Sequence, residues 1–361
     1  MISGAGYSQN VLRAPVPADE QVYVGEHPFG RIMVQPILTS DLRQLHLKKA
    51  QLYIGAVWNR VSWNPAGPKT FQLWALYFYK MFGKDLVEAK TGYICNDLEF
   101  VGLQVGGSTA IGAQGVYAVL PFEVGMSYFP LTAPSFNIRI RGPKHTYLKT
   151  AAQRSLDPAG GPRTVARDHA GFRFIPKGDG LLLINEAGYR RASSPDAHEA
   201  WFRAGYMRNS TLYTNPVTGQ RHPGNFCGYI LMDYQLRKPD PQHPSHGLYA
   251  GASAMTAPAS LNAYARYYEM RLYQKAPFRS RPGDVLSFVA SHTGYSKSVT
   301  DNLVTEGKTV WRSATSFTAS YSIHAAPGVH VSLGLSYIHG PAITPHVSDA
   351  LTFTAGYTVF F

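Results

Sequence analysis

From Asp349 to Phe361 the chain alternates without a break. Leu351, Phe353, Ala355, Tyr357, Val359 and Phe361 fall on one face; Thr352, Thr354, Gly356 and Thr358 fall on the other. A period of 2 predicts a strand with one oily face and one small, polar face. The pattern recurs at Val329–Tyr337, where Val329, Val331, Leu333, Leu335 and Tyr337 alternate with His330, Ser332, Gly334 and Ser336. It recurs again at Phe136–Arg141 and at Val87–Tyr93. Taken alone, alternation fits any half-buried strand.

The same reading gives fifteen candidate strands: 30–40, 51–63, 70–82, 86–94, 134–141, 145–152, 180–191, 199–209, 226–237, 247–256, 263–274, 284–293, 309–324, 329–338 and 349–361. Residues 1–28 carry several prolines and mixed charge, and are expected as a loose N-terminal periplasmic segment. A weak strand near Gln21–Val24 would make sixteen and pair with the last strand, since closure favours an even count.

Connection lengths sharpen this. If the C-terminus is periplasmic, short inner turns should alternate with longer outer loops. Working backward, the inner turns fall at Ala325–Gly328, Lys275–Gly283, Lys238–His246, Ala192–His198, Gly142–Lys144 and Gly83–Asp85. The outer loops include Gly294–Lys308, Ser210–Asn225, Gln153–Asp179 and Cys95–Ala133. Only Asn64–Lys69 and Ala257–Asn262 are short for their side. A lumen of sixteen strands is too wide for side chains to fill, so an oily interior would stand empty. The polar face must meet water and the oily face lipid. The expected fold is all-β: a transmembrane antiparallel β-barrel of about 16 strands over 29–361, with a long inward-folding loop.

Composition agrees. Charged residues are 16% and aromatics 13%, with 23 Tyr, 34 Gly and 25 Pro, which suits many short strands and turns. No run approaches the ~18 apolar residues of a spanning helix, and only barrels or helices satisfy their backbone in lipid. The formal charge of +12 is spread through turns and loops, which speaks against a nucleic-acid stripe. Attraction to anionic headgroups, or a lumen biased toward anions or sugars, accounts for it as well.

Cys95 and Cys227 lie far apart with no metal-ligand spacing, and a disulfide stays open. The start, MISGAGYSQN, has neither a basic nor an apolar leader region. A cytosolic origin follows if this is the native start; a mature chain with its leader removed is the preferred expectation.

Enzyme signatures are scarce: GxSxG and the Walker pattern are absent, and Gly106-Gly107-Ser108 reads as loop flexibility. His243 and His246 read as turn histidines and not a metal site. Glu88 with Lys90, and Arg139 with Arg141, each share a strand face and read as charges that keep a lumen wet. Trp74 reads equally as a lumen stacking surface or an interfacial girdle residue.

Once the strands are laid out, a family resemblance follows. Thr91–Phe100, TGYICNDLEF, resembles the segment after the fourth strand of the OprB-type carbohydrate-selective porins. Tyr128–Pro134 resembles their YPLATP segment, Glu186–Arg190 their EAGYR, Asp233–Pro239 their DQQLWRP, and Arg281–Leu286 their RPDDVL. Tyr321, Pro327, Tyr337 and Pro341 fall at the spacing of the last two hairpins, so the likeness runs from about Gln51 to Phe361. The aromatic terminal strand is also similar to those of outer-membrane proteins. The resemblance implies an outer-membrane barrel of 16 strands passing small sugars such as glucose, with no cofactor and no catalysis. It places Lys90, Asp97, Glu99, Arg139, Glu186, Asp233 and Gln235 among lumen or loop positions. Ser253, Thr318, Ser322 and Leu76 depart from charged residues frequent in the family, which thins the lumen charge.

The candidate pore-lining set is therefore Trp74, Glu88, Lys90, Asp97, Glu99, Arg139, Arg141, Lys149, Glu186, Asp233 and Gln235. The loop Asn96–Ala133 is expected to fold inward and narrow the lumen. Expected partners are small sugars, outer-membrane lipid or lipopolysaccharide, and a second copy or another envelope protein. The alternatives are a less selective porin, a structural or export barrel in a partner complex, and a soluble β-rich enzyme.

Overall fold

In the computed structural model, which describes residues 1–12, 17–63, 71–101, 119–176, 178–344 and 347–361, one antiparallel sheet closes on itself. The strands are β1 (Ile2–Asn10), β2 (Phe29–Gln35), β3 (Ile37–Asp41), β4 (Ala50–Val61), β5 (Phe71–Phe82) and β6 (Val87–Ile94). After a long connection come β7 (Ala133–Arg141), β8 (Thr146–Arg154), β9 (Leu181–Arg191), β10 (Ala200–Thr214) and β11 (Arg221–Arg237). The wall ends with β12 (Gly247–Thr256), β13 (Tyr264–Lys275), β14 (Val285–Tyr295), β15 (Ser313–Ala326), β16 (Val329–His339) and β17 (Ala350–Phe360). β2 and β3 both pair with β4 and are interrupted at Pro36, whose ring has no N–H to give the ladder. They form one stave, and the barrel has sixteen.

All fifteen expected strands are present. The closing strand is not Gln21–Val24, which is irregular, but β1: Ile2 pairs with Phe360 and Asn10 with Thr352. Its inward positions Gly4, Gly6 and Ser8 are small, so β1 lacks the oily alternation that marks the others. This corrects the expectation of a loose periplasmic segment 1–28. Residues 2–10 are barrel wall, and residues 17–28 lie at the end opposite both termini. There Tyr23 packs on Ile338, Val347 and Ala350 inside the wall, and Asn10 N donates to Gly25 O.

The short turns gather at the end holding both termini, and the long connections at the other. Ser210–Asn225 is corrected from loop to hairpin, because β10 and β11 continue past the neighbouring staves and leave only 215–220 between them. The expected outer loop Asn64–Lys69 lies outside the described residues.

The faces sort as the pattern requires. Met270, Ile230, Leu148 and Phe288 point outward and exposed, Met270 to 72%, while Thr352, Thr318, Ser336 and Arg271 point inward and are buried. Large apolar side chains left in the open on most staves are a surface built for lipid. The upper inner wall of β9–β13 departs from this: Leu182, Ile184, Met207, Leu231 and Met255 are apolar and buried. A loop lid explains them. Leu120, Val124 and Met126 from the β6–β7 connection, which carries the short helix α1 (Val119–Glu123), pack directly on these residues. Their burial removes apolar surface worth roughly 25 cal/mol per Å² from the lumen water.

Candidate functional site

The β6–β7 connection is anchored inside the barrel by amides. Asn96 Nδ2 donates to Gln153 Oε1 at 2.7 Å and to Ser135 Oγ at 3.0 Å, and Asn137 Nδ2 donates to Asn96 Oδ1 at 2.7 Å. Further along, Glu123 accepts from Ala263 N and Tyr264 N at 3.1 and 3.2 Å, tying α1 to the start of β13. Residues 102–118, the tip of the expected constricting loop, lie outside the described residues.

Beneath this anchor, inward positions of β6–β10 carry a charged cluster. Lys90 Nζ lies 2.7 Å from Glu99 of the loop and 3.7 Å from Glu88; Arg141 reaches Glu88 at 3.9 Å. Lys149 Nζ lies 3.4 Å from Glu186 and donates to the Glu99 carbonyl. Glu186 is 2% exposed and accepts from the hydroxyls of both Tyr147 and Tyr229 at 2.9 Å. Trp201 donates from Nε1 to Tyr147 Oη at 2.9 Å, and its ring has the Arg203 guanidinium at 3.5 Å and that of Arg190 at 4.5 Å. Such cation–aromatic contacts fix a flat ring without covering its edge. Lys90, Glu99, Arg139, Lys149, Arg190 and Trp201 line a cavity of about 200 Å³.

Two glycines make this geometry possible. Tyr147 lies flat across Gly188, and Tyr229 across Gly205; a Cβ on Gly205 would stand 2.1 Å from Tyr229 Cζ, and one on Gly188 2.3 Å from Tyr147 Cζ. Only a residue without Cβ lets each ring cross the next stave to reach Glu186. Gly205→Ala is expected to cost about 1–3 kcal/mol by overpacking, measured as a lower denaturant midpoint of the folded barrel. Tyr229→Ala added to it should recover part of that loss; a Gly205→Ala barrel as stable as the parent would show that the Tyr229 ring is not held.

Each sequence-derived candidate can now be placed. Glu88, Lys90, Glu99, Arg139, Arg141, Lys149 and Glu186 come together on one side of the lumen. Asp233 sits apart, further round, where it pairs with Arg271 at 2.7 Å; Arg271 also meets Glu269 at 2.7 Å, and Tyr273 Oη donates to Asp233 at 3.2 Å. Gln235 is fully buried and ties turns together, accepting from Glu199 N and donating to the Pro244 and His246 carbonyls. It does not line the lumen. Asp97 is 4% exposed and accepts from Phe129 N at 3.3 Å, so it shapes the loop from within. Burial pushes the Asp97 carboxyl up to about 7, against the lowering effect of its backbone donors. Burial likewise pushes Glu123 up to about 7. Trp74 faces the lumen but packs edge-on against Tyr53 and Phe129, away from the charged cavity. Cys95 and Cys227 are both free and buried.

Sequence reasoning missed Trp201, Arg190, Arg203, Tyr147 and Tyr229. Their signal was available: Glu186, Gly188 and Arg190 share one face at spacing 2, as do Trp201, Arg203 and Gly205.

The family model of carbohydrate-selective porins of the OprB family matches residues 2–361. The chain belongs to that family. It is therefore a channel protein of the bacterial outer membrane, and its barrel calls for no catalytic step. Among solved structures, Pseudomonas putida OprB at high pH is similar with a TM-score of 0.81 at 13% identity, covering 100% of this chain and 93% of that one. The low-pH structure of the same porin has a TM-score of 0.56 at 11% identity, covering 99% and 90%. A mutant of the Rh. blastica porin has a TM-score of 0.52 at 10% identity and full coverage of both chains. At such identities these likenesses speak to the fold alone. No curated protein sequence matches.

Proposed function

We propose that this sugar-selective porin passes neutral monosaccharides of glucose size by facilitated diffusion, and that the charged cavity beside Trp201 is its selective narrowing. The observation that carries this reading is the indole of Trp201, held at the lumen wall by Arg190, Arg203 and the Tyr147 hydroxyl. A pyranose has apolar ring faces and a rim of hydroxyls. The part of the indole that the two guanidiniums leave uncovered offers an apolar contact to the first, and lysine, arginine and glutamate around it suit the second. The cavity of about 200 Å³ is on the scale of one sugar ring. Binding stays weak because Lys90, Glu99, Lys149 and Glu186 already bond to one another, which lets the solute leave. The basic side chains Arg139, Lys149, Arg190 and Arg203 outnumber the acidic ones, so small anions are the competing solutes.

Liposome swelling tests the reading. Vesicles carrying the purified barrel should swell severalfold faster in glucose than in gluconate of matched osmolarity. Equal rates would overturn the sugar preference and leave a general porin.

A further inference from the structure

On the termini side of the charged cavity, the inner face of β4 and β5 carries a line of aromatic rings that the narrowing does not use. Tyr53 and Tyr77 are direct cross-strand partners whose rings lie parallel, 8° apart in plane with centroids 4.9 Å apart. Trp74 meets Tyr53 edge-on at 5.8 Å and Phe129 of the inward loop at 5.6 Å. Tyr79 occupies the next inward position toward the turns. Lys90 Nζ stands 5.7 Å from the Tyr77 ring and 5.8 Å from the Tyr79 ring, while its charge is held by Glu99 of the narrowing. The line therefore starts at the loop, passes the charged cavity and descends toward the mouth that holds both termini.

A cavity of about 720 Å³ opens over the lower part of this line, lined by Tyr53, Tyr77 and Tyr79 with Gln51, Asp41 and Arg43 at its rim. The three tyrosines are half-buried. On β15 and β17 the inner wall is built of small hydroxyl residues such as Ser320, Thr318 and Thr354, which cost little against water. Half-exposed rings facing a wet lumen do cost, at roughly 25 cal/mol per Å² of apolar surface, unless a solute covers them in passing. Flat rings in sequence, with an amide, a carboxylate and a guanidinium beside them, match a solute with apolar faces and hydroxyl edges. Pockets of ~300–1,000 Å³ enclose drug-sized ligands, so this one has room for more than a single sugar ring.

We propose that Tyr53, Tyr77 and Tyr79 form a second saccharide subsite on the termini side of the narrowing, taking neutral pyranosides of more than one ring. The proposal rests on the sugar-porin reading above and adds where, and for what length of sugar, the lumen binds.

The test uses the full-length barrel in planar bilayers, with maltose added on the side of the termini. Maltose should reduce the ion current saturably. Tyr53→Ala/Tyr77→Ala should raise the half-blocking concentration about threefold to tenfold, the range that a ring contact supplies. Tyr53→Phe/Tyr77→Phe keeps both rings and should block like the parent, and glucose swelling rates should change less than about twofold in either variant. Folding is checked by the heat-modifiable gel band; if the double alanine barrel does not fold, Tyr79→Ala against Tyr79→Phe makes the same comparison with about a threefold shift expected. An unchanged half-blocking concentration in the alanine variants, equal loss in the phenylalanine variants, or no maltose block in a parent that passes glucose would overturn the subsite alone. A parent that does not prefer glucose over gluconate overturns the underlying sugar reading whatever the tyrosine variants do.

Discussion

Glu186→Ala is expected to lower the stability of the barrel by about 3 kcal/mol and to turn the pore toward anions. Glu186 is buried, and three groups depend on it: the hydroxyls of Tyr147 and Tyr229 and the ammonium of Lys149. Removing one member of a buried, hydrogen-bonded ion pair leaves the other charge without compensation, which costs more than the pair contributes. Lys149 keeps the Glu99 carbonyl and the Phe100 and Tyr147 rings but, among the described residues, no carboxylate at 4 Å or less, and the rings over Gly188 and Gly205 lose the acceptor that holds them there. Glu186→Gln keeps the shape and one acceptor, and should cost about 1–2 kcal/mol. The urea midpoint of the folded gel band reads the first effect. The reversal potential in a salt gradient reads the second: both variants should shift toward the anion limit, because Arg139, Arg190 and Arg203 then face less negative charge. A reversal potential equal to the parent's would place the narrowing elsewhere.

The staves were legible because lipid and water impose opposite demands on alternate residues. Val329–His339 and Ala350–Phe360 show it most cleanly, with Leu, Phe and Tyr against Ser, Thr and Gly. β1 escaped because GAGYSQN has little oily side chain to show; it is held by ladders to β17 and β2 on both edges, which are non-local and leave no local pattern. Gln21–Val24 looked more like a strand, yet Tyr23 and Gln21 are buried by folding inward over β16 and β17. Loop length misled once, at Ser210–Asn225, where the polar residues Ser210, Asn225 and Arg221 belong to strands that continue beyond the lipid.

The site was legible where charge alone marks a lumen position, as at Glu88, Lys90, Arg139 and Lys149. It was not legible where a residue has two plausible homes. Trp201 carries no charge to mark a lumen position, and its place shows only where its indole meets Arg190 and Arg203. Tyr53, Tyr77 and Tyr79 sit in staves that are apolar on both faces, QLYIGAV and FQLWALYFY, so alternation could not say which face was inward. In the other direction, Gln235 and Asp97 stand at lumen-type positions in the sequence but are consumed by backbone contacts in the turns and the loop. Apolar inward residues such as Ile184 and Leu231 broke the two-faced rule because α1 covers them, a contact between segments far apart in the chain.

That cover should loosen as pH rises. Asp97 and Glu123, near the two ends of the inward loop, are each held at about 7 by burial, against ordinary values of 3.8 and 4.5. The bound-loop value lies above the detached value, so the protonated form is the one the docked loop favours. Below about pH 4 both forms carry the proton and attachment is at full strength. Between roughly 4 and 7 the detached carboxyls give up their protons first, and attachment weakens; above about 7 it levels off. At ~1.4 kcal/mol per pH step, Asp97 contributes about 4 kcal/mol and Glu123 about 3 kcal/mol at most across that window. The backbone N–H groups of Phe129, Ala263 and Tyr264 still donate to the charged carboxylates, so the loop weakens without being expelled. Hydrogen exchange of the amides at 119–132, corrected for intrinsic rates, should be faster at pH 8 than at pH 5. Glu123→Gln with Asp97→Asn should flatten the difference by keeping both groups neutral throughout. Equal protection at the two pH values in the parent, or an undiminished difference in the double variant, would assign the attachment to the apolar contacts of Leu120, Val124 and Met126 instead.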